Sequence, residues 1–176
     1  MSNTRRSLIP VLGCIVGSFA IAPSTVLAQG FKTSPPAYSL ASYTGDYAVI
    51  GTYGANVARL IGTYHADGKG NAEGTARVNL PGSGNDRVVV NLTFAGPYVV
   101  NPDGTGTLFF TVELPGGGTS PATLDFVFTR SEVLEGIRVA TEIATAQREP
   151  SSVVNGQFVT HISTRRSDKK HDRDDS

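Results

Sequence analysis

The sequence predicts an all-β domain: a single antiparallel, mostly up-and-down β-barrel of about eight strands over residues 43–164, with a two-sheet β-sandwich as the alternative. Three observations predict it. Apolar and polar residues alternate at period two in short runs, which gives each run one buried and one solvated face. Clusters of Gly, Asp, Asn and Pro separate the runs at short intervals, as tight hairpins require. No ten-residue window carries a helical stripe. Uniformly short links favour strands paired in sequence order, and closing such a meander removes edges that invite aggregation.

Residues 1–28 read as a secretory signal peptide. Arg5 and Arg6 supply the positive start, residues 8–22 the apolar stretch, and Val26, Leu27 and Ala28 a small-residue cleavage site. An uncleaved membrane anchor is the alternative. Thr4, Arg5, Arg6, Ser7, Leu8 and Ile9 together also fit a twin-arginine signal. Export to the periplasm or the exterior is therefore expected, by the general or the twin-arginine route, with no membrane partner after cleavage. Residues 29–42 are rich in Ser and Pro and lack periodicity, which reads as an extended lead-in.

Strands are expected at 46–53, 57–65, 72–80, 87–95, 107–114, 122–130, 137–143 and 153–163, with a short extra strand at 98–100 after a break at Gly96 and Pro97. The inward rows are Val88, Val90, Leu92 and Phe94; Leu108, Phe110, Val112 and Leu114; Leu124, Phe126 and Phe128; and Ile137, Val139 and Ile143. Phe109 falls on the polar face with Thr107, Thr111 and Glu113. Asp67 and Asp103 each open an Asp-Gly-x-Gly turn, where the carboxylate caps backbone N–H groups and Gly supplies positive φ. Residues 131–136, with Ser131 as cap and Gly136 as stop, are the one candidate for a single helical turn. Residues 165–176 carry charges of both signs and nothing apolar, which reads as a disordered tail.

Composition excludes several classes. The 15 basic residues balance 15 acidic ones, so no nucleic-acid partner held through phosphates is expected. The single Cys, Cys14, lies in the segment expected to be removed. Disulfides, thiolate zinc sites and iron–sulfur clusters are thereby excluded from the mature chain, and no cofactor is expected.

The remaining chemistry is sparse. His65 and His161 could share a metal with Asp67 or Glu73, but no close-spaced pair supports this, and no metal is expected. His171 lies in the tail. No Gly-x-Ser-x-Gly elbow is present, so no catalytic residue is assigned. Glu113, Asp125 and Glu142, with Arg138, fall on the polar faces of successive strands; a solvated row of charges is favoured over a paired-carboxylate site. Each Asp-Gly tip holds one acid, too few for calcium. Aromatic side chains are the remaining candidates for a site. Phe94, Phe110, Phe126, Phe128 and Tyr64 are expected to line a pocket for a small apolar molecule, with Tyr hydroxyls as polar anchors.

The segments GTYHADGKGNAEG (62–74) and GPYVVNPDGTGTLFF (96–110) resemble those of exported bacterial small β-barrel proteins of calycin or allene-oxide-cyclase type. The resemblance spans about residues 43–164 and is one of fold. It implies a barrel whose interior or mouth could hold a small apolar molecule, and it brings no functional residues with it.

Four functions follow from this reading. An exported, soluble binding barrel comes first. A structural or surface-interaction module is the alternative. A cyclase- or isomerase-type enzyme would need a polar cluster inside the barrel, which the alternation does not show. An outer-membrane barrel would need its apolar faces turned to lipid.

Overall fold

The structure, a computed structural model, describes residues 34–55, 57–154 and 156–167. The expected signal peptide and most of the expected tail lie outside the described residues. The strands are β1 (Thr44–Tyr53), β2 (Ala58–Asp67), β3 (Asn71–Pro81), β4 (Arg87–Val100), β5 (Thr105–Glu113), β6 (Thr119–Leu134), β7 (Ile137–Gln147) and β8 (Val159–Arg165). They form one closed barrel in sequence order. Each neighbouring pair is antiparallel, and β1 bonds to β2 on one side and to β8 on the other. An even number of up-and-down strands lets the last meet the first antiparallel, so the ring closes without an edge. The sandwich alternative is excluded.

Period two sets which side chains fill the ring. In β2, Leu60, Tyr64 and Ala66 point inward and are buried, while Arg59, Thr63 and His65 face out. The outer wall also carries Asp46, Glu73, Arg77 and Asn91, all exposed. The same wall exposes Ile50, Ile61 and Ile162, which are cross-strand neighbours, so charged and apolar residues are mixed on it.

The structure corrects several expectations. Strand β4 runs unbroken through Gly96 and Pro97, and its pairing with β5 resumes at Tyr98 in the same register. Gly96 permits this, because a Cβ there would overlap the Phe109 carbonyl of β5. Residues 131–136 are not a helical turn. They extend β6 and close a hairpin in which Leu134 pairs with Ile137. Glu135 (φ 51°) and Gly136 (φ 82°) form its two-residue turn, with the positive φ at both positions that matches strand twist. Residues 153, 154 and 156–158, expected in the last strand, belong instead to the loop between β7 and β8. Arg165, expected in the tail, completes β8, and its Nε donates to the Thr44 carbonyl at 3.3 Å.

Two compensating irregularities interrupt the β6–β7 ladder. Phe128 pairs with Ile143, Arg130 with Glu142, and Ser131 with Ala140, leaving Thr129 and Thr141 as extra residues. Each extra residue inverts the alternation beyond it. Ala140 therefore joins Ile143 in the core, while Ile137, expected inward, is 43% exposed. Val88, also expected inward, is exposed near the β3–β4 hairpin. Phe109 is exposed on the outer wall, as its position in the alternation implied.

One end of the barrel is plugged. The lead-in turns through a short 3-10 segment, Leu40–Ser42, and inserts Tyr43 among the barrel side chains with no solvent exposure. The Tyr43 ring meets Tyr47, Phe126 and Phe128 edge-on at 5.3–5.6 Å, and Tyr98 at 4.8 Å. Each such pair adds about 0.5–1.5 kcal/mol beyond its area burial. Hydroxyls are satisfied within the plug: Tyr98 donates to the Tyr43 carbonyl at 2.7 Å, and Tyr47 to the Ala140 carbonyl at 3.0 Å. Tyr38 extends the seal, with its ring 5.1 Å from Phe128 and the Arg138 guanidinium 4.0 Å from its centroid.

Candidate ligand cavity

Above the plug the barrel is not filled. Phe94, Phe110 and Val112 point inward yet are only partly buried, because a space lies in front of them. This cavity reaches from Tyr43 to the end of the barrel where the β7–β8 loop lies, and that loop contributes Ser151, Ser152 and Val153 to its lining. It encloses about 740 Å³ between atoms, open solvent included; water centres can occupy about 70 Å³ of it. One water needs roughly 10–15 Å³ on the latter measure, so the space takes several waters or a small ligand.

Most of the wall is apolar, with Val49, Leu60, Leu92, Leu108, Leu124 and Val159 among its residues. No Asp, Glu, Lys or Arg is among the lining residues that the structure describes. The polar side is built by β7 and β8. Thr145 and His161 are cross-strand partners, and Gln147 lies two residues beyond Thr145 on the same inner face. Thr145 Oγ1, Gln147 Oε1 and His161 Nε2 are buried and find no hydrogen-bond partner among the described residues. Buried polar atoms in proteins are nearly always paired, so three together on one cavity wall are exceptional.

His161 retains some surface, but its Nε2 has none. Burial pushes its imidazole down from 6.5 to about 4, so the ring is neutral at physiological pH. Gly51 of β1 faces it directly across the barrel seam. A Cβ at Gly51 would overlap the imidazole, so glycine there makes the room the ring needs. Toward the plug, the Tyr43 hydroxyl donates to that of Tyr64 at 2.8 Å. Burial pushes the Tyr64 hydroxyl up to about 12, against hydrogen bonds from Ser163 and Tyr43. Near the loop, burial raises Tyr53 to about 12, against a hydrogen bond from Ser151. A hydrogen bond between Ser120 and Ser152 ties the loop to the start of β6.

Of the residues expected to line a pocket, Phe94, Phe110 and Tyr64 do so. Phe126 and Phe128 point inward but stack on each other in the plug, at 5.1 Å between centroids. Thr145 and Gln147 were not anticipated, and His161 was considered only as a metal ligand; together they supply the interior polar cluster that the alternation did not show. In β8 and the residue just before it, the apolar Ile162 and Phe158 were the natural inward candidates. They are instead 49% and 50% exposed, and Val159, His161 and Ser163 face in. The signal was present as strict alternation of His161 and Ser163 with Ile162, but with the less apolar face turned inward.

The other candidates are dispersed. His65 lies on the outer wall, its Nδ1 2.9 Å from Asp46, so it and His161 stand on opposite sides of the barrel wall and share no site. Asp67 caps its own turn, accepting from the N–H groups of Lys69, Gly70 and Asn71, which lower its carboxyl to about 2. Asp103 does the same for Thr105. Glu113 accepts from Thr93, and Glu142 from Thr129 at 2.8 Å. Asp125 takes both Arg148 Nε and Nη2 at 2.7 Å. These three carboxylates thus pair separately, and Arg138 turns to Tyr38 rather than to them.

No family model, curated protein or solved structure matches this chain. The cavity therefore stands on its own geometry: a closed meander barrel, sealed by aromatics at one end, with an apolar interior and one uncharged polar wall.

Proposed function

We propose that this protein is an exported, soluble barrel that binds a small, largely apolar molecule in its interior. The observation that carries the reading is the cavity itself. Natural cores pack to crystal-like density, so space before Phe94, Phe110 and Val112 is costly unless something uses it. Apolar walls with a few convergent polar groups are the usual composition of small-molecule sites. Export rests on the sequence of residues 1–28.

Titration of the detergent-free protein with the neutral, apolar fluorophore N-phenyl-1-naphthylamine tests the reading, together with native mass spectrometry against the denatured mass. Saturable one-to-one fluorescence enhancement is expected, lost on narrowing the cavity with Ala122→Phe. Absence of enhancement, together with a native mass equal to that of the bare chain, would move the protein to a structural role.

A further inference from the structure

The polar wall specifies what kind of molecule the cavity takes. A ligand carboxylate or ammonium placed against Thr145, Gln147 and His161 would meet no Asp, Glu, Lys or Arg among the described lining residues. An unpaired ion in such surroundings is strongly disfavoured. A purely apolar ligand would leave all three buried polar atoms without partners, which is also disfavoured. Gln147 Oε1 only accepts, the Thr145 hydroxyl accepts and donates, and a neutral imidazole nitrogen does one or the other according to its tautomer. A ketone or ether offers acceptors alone and leaves Gln147 Oε1 unanswered. A hydroxyl offers both a donor and an acceptor.

We infer that the cavity is selective for an uncharged molecule with an apolar body and a hydroxyl-type head, the head lying against Thr145, Gln147 and His161. This inference rests on the binding reading above and narrows it to a chemical class. The cross-strand placement of Thr145 and His161 keeps their Cβ atoms about 5 Å apart, within reach of one hydroxyl. The apolar body then occupies the space lined by Phe94, Phe110 and Val112.

Displacement of bound N-phenyl-1-naphthylamine at pH 8 by 1-decanol, decanoate and decylammonium tests the selectivity at constant chain length. The alcohol is expected to compete about tenfold or more better than either ion. Thr145→Val and Gln147→Met should each reduce that preference several-fold while the fluorophore still binds. Thr145→Val also keeps the side-chain shape and removes a buried unpaired hydroxyl. It should therefore leave the unliganded protein folded, with an unchanged or raised urea midpoint. Equal or tighter binding of decanoate would overturn the selectivity while leaving the binding reading intact, as would a decanol preference unaffected by both variants. Failure of the fluorophore itself to bind would overturn both.

Discussion

Acidification from pH 7.5 to pH 4.5 should remove about 2–3 kcal/mol of stability through His161 alone. In the folded chain burial lowers this imidazole from 6.5 to about 4. The unfolded chain therefore binds the proton more readily between those values, and stability falls as pH falls through that window. A tenfold difference in proton affinity between the two states is worth about 1.4 kcal/mol, so the full contribution is about 3 kcal/mol, most of it lost by pH 4.5. Water in the cavity would solvate the imidazolium and reduce the figure. Urea unfolding followed by tyrosine fluorescence, at both pH values, on the natural protein and on His161→Gln, isolates this contribution. Carboxylate titration is common to both proteins, so the difference between their pH effects belongs to His161. The variant should lose less stability on acidification, by about 2–3 kcal/mol. Equal pH dependence in the two proteins would refute the assignment of His161 to a buried, uncharged site, as would an imidazole NMR signal from His161 titrating near 6.5.

Three further outcomes follow. Tyr43→Ala should cost about 3–5 kcal/mol in urea unfolding by emptying the plug, and Tyr43→Phe only about 1 kcal/mol for the lost hydroxyl bond to Tyr64. Gly51→Ala should destabilise by about 1–3 kcal/mol, because the new methyl meets the His161 ring and the Thr160 carbonyl; N-phenyl-1-naphthylamine affinity should fall with it. Asp67→Ala should lower the urea midpoint at pH 7. Because the folded carboxyl sits at about 2, below its ordinary 3.8, its contribution is full above pH 4 and disappears as pH falls through 2. The variant's acid-unfolding curve should therefore be flatter in that window.

Where local rules suffice, the sequence was legible. The alternation in β2 and the Asp67 turn are each decided by residues within a few positions, since strand period and turn chemistry are short-range properties of the backbone. Phe94, Phe110 and Tyr64 were found as cavity residues because they are the large apolar members of inward rows. Phe126 and Phe128 were not separable from them, since all five share the inner surface and only depth along the barrel axis distinguishes wall from plug. Nor was the lead-in readable as structure: it has no period. Tyr43, just after it, becomes a core residue only by inserting between strands that are distant from it in sequence.

The sequence by itself determined the strand class, most strand positions, the hairpin chemistry and a chain of short links suited to a meander. Tertiary structure decided which face of β8 points in. Ile162 turns outward beside Ile50 and Ala144, its partners on the neighbouring strands, while His161 takes the space that Gly51 leaves inside. Period two states that two faces differ but not which one is buried; that depends on the register in which the last strand meets the first. The register of β7 against β8 brings Thr145 and His161 side by side. The polar wall is thus a product of strand pairing, with closure adding the space at Gly51, and no local pattern in either strand encodes it.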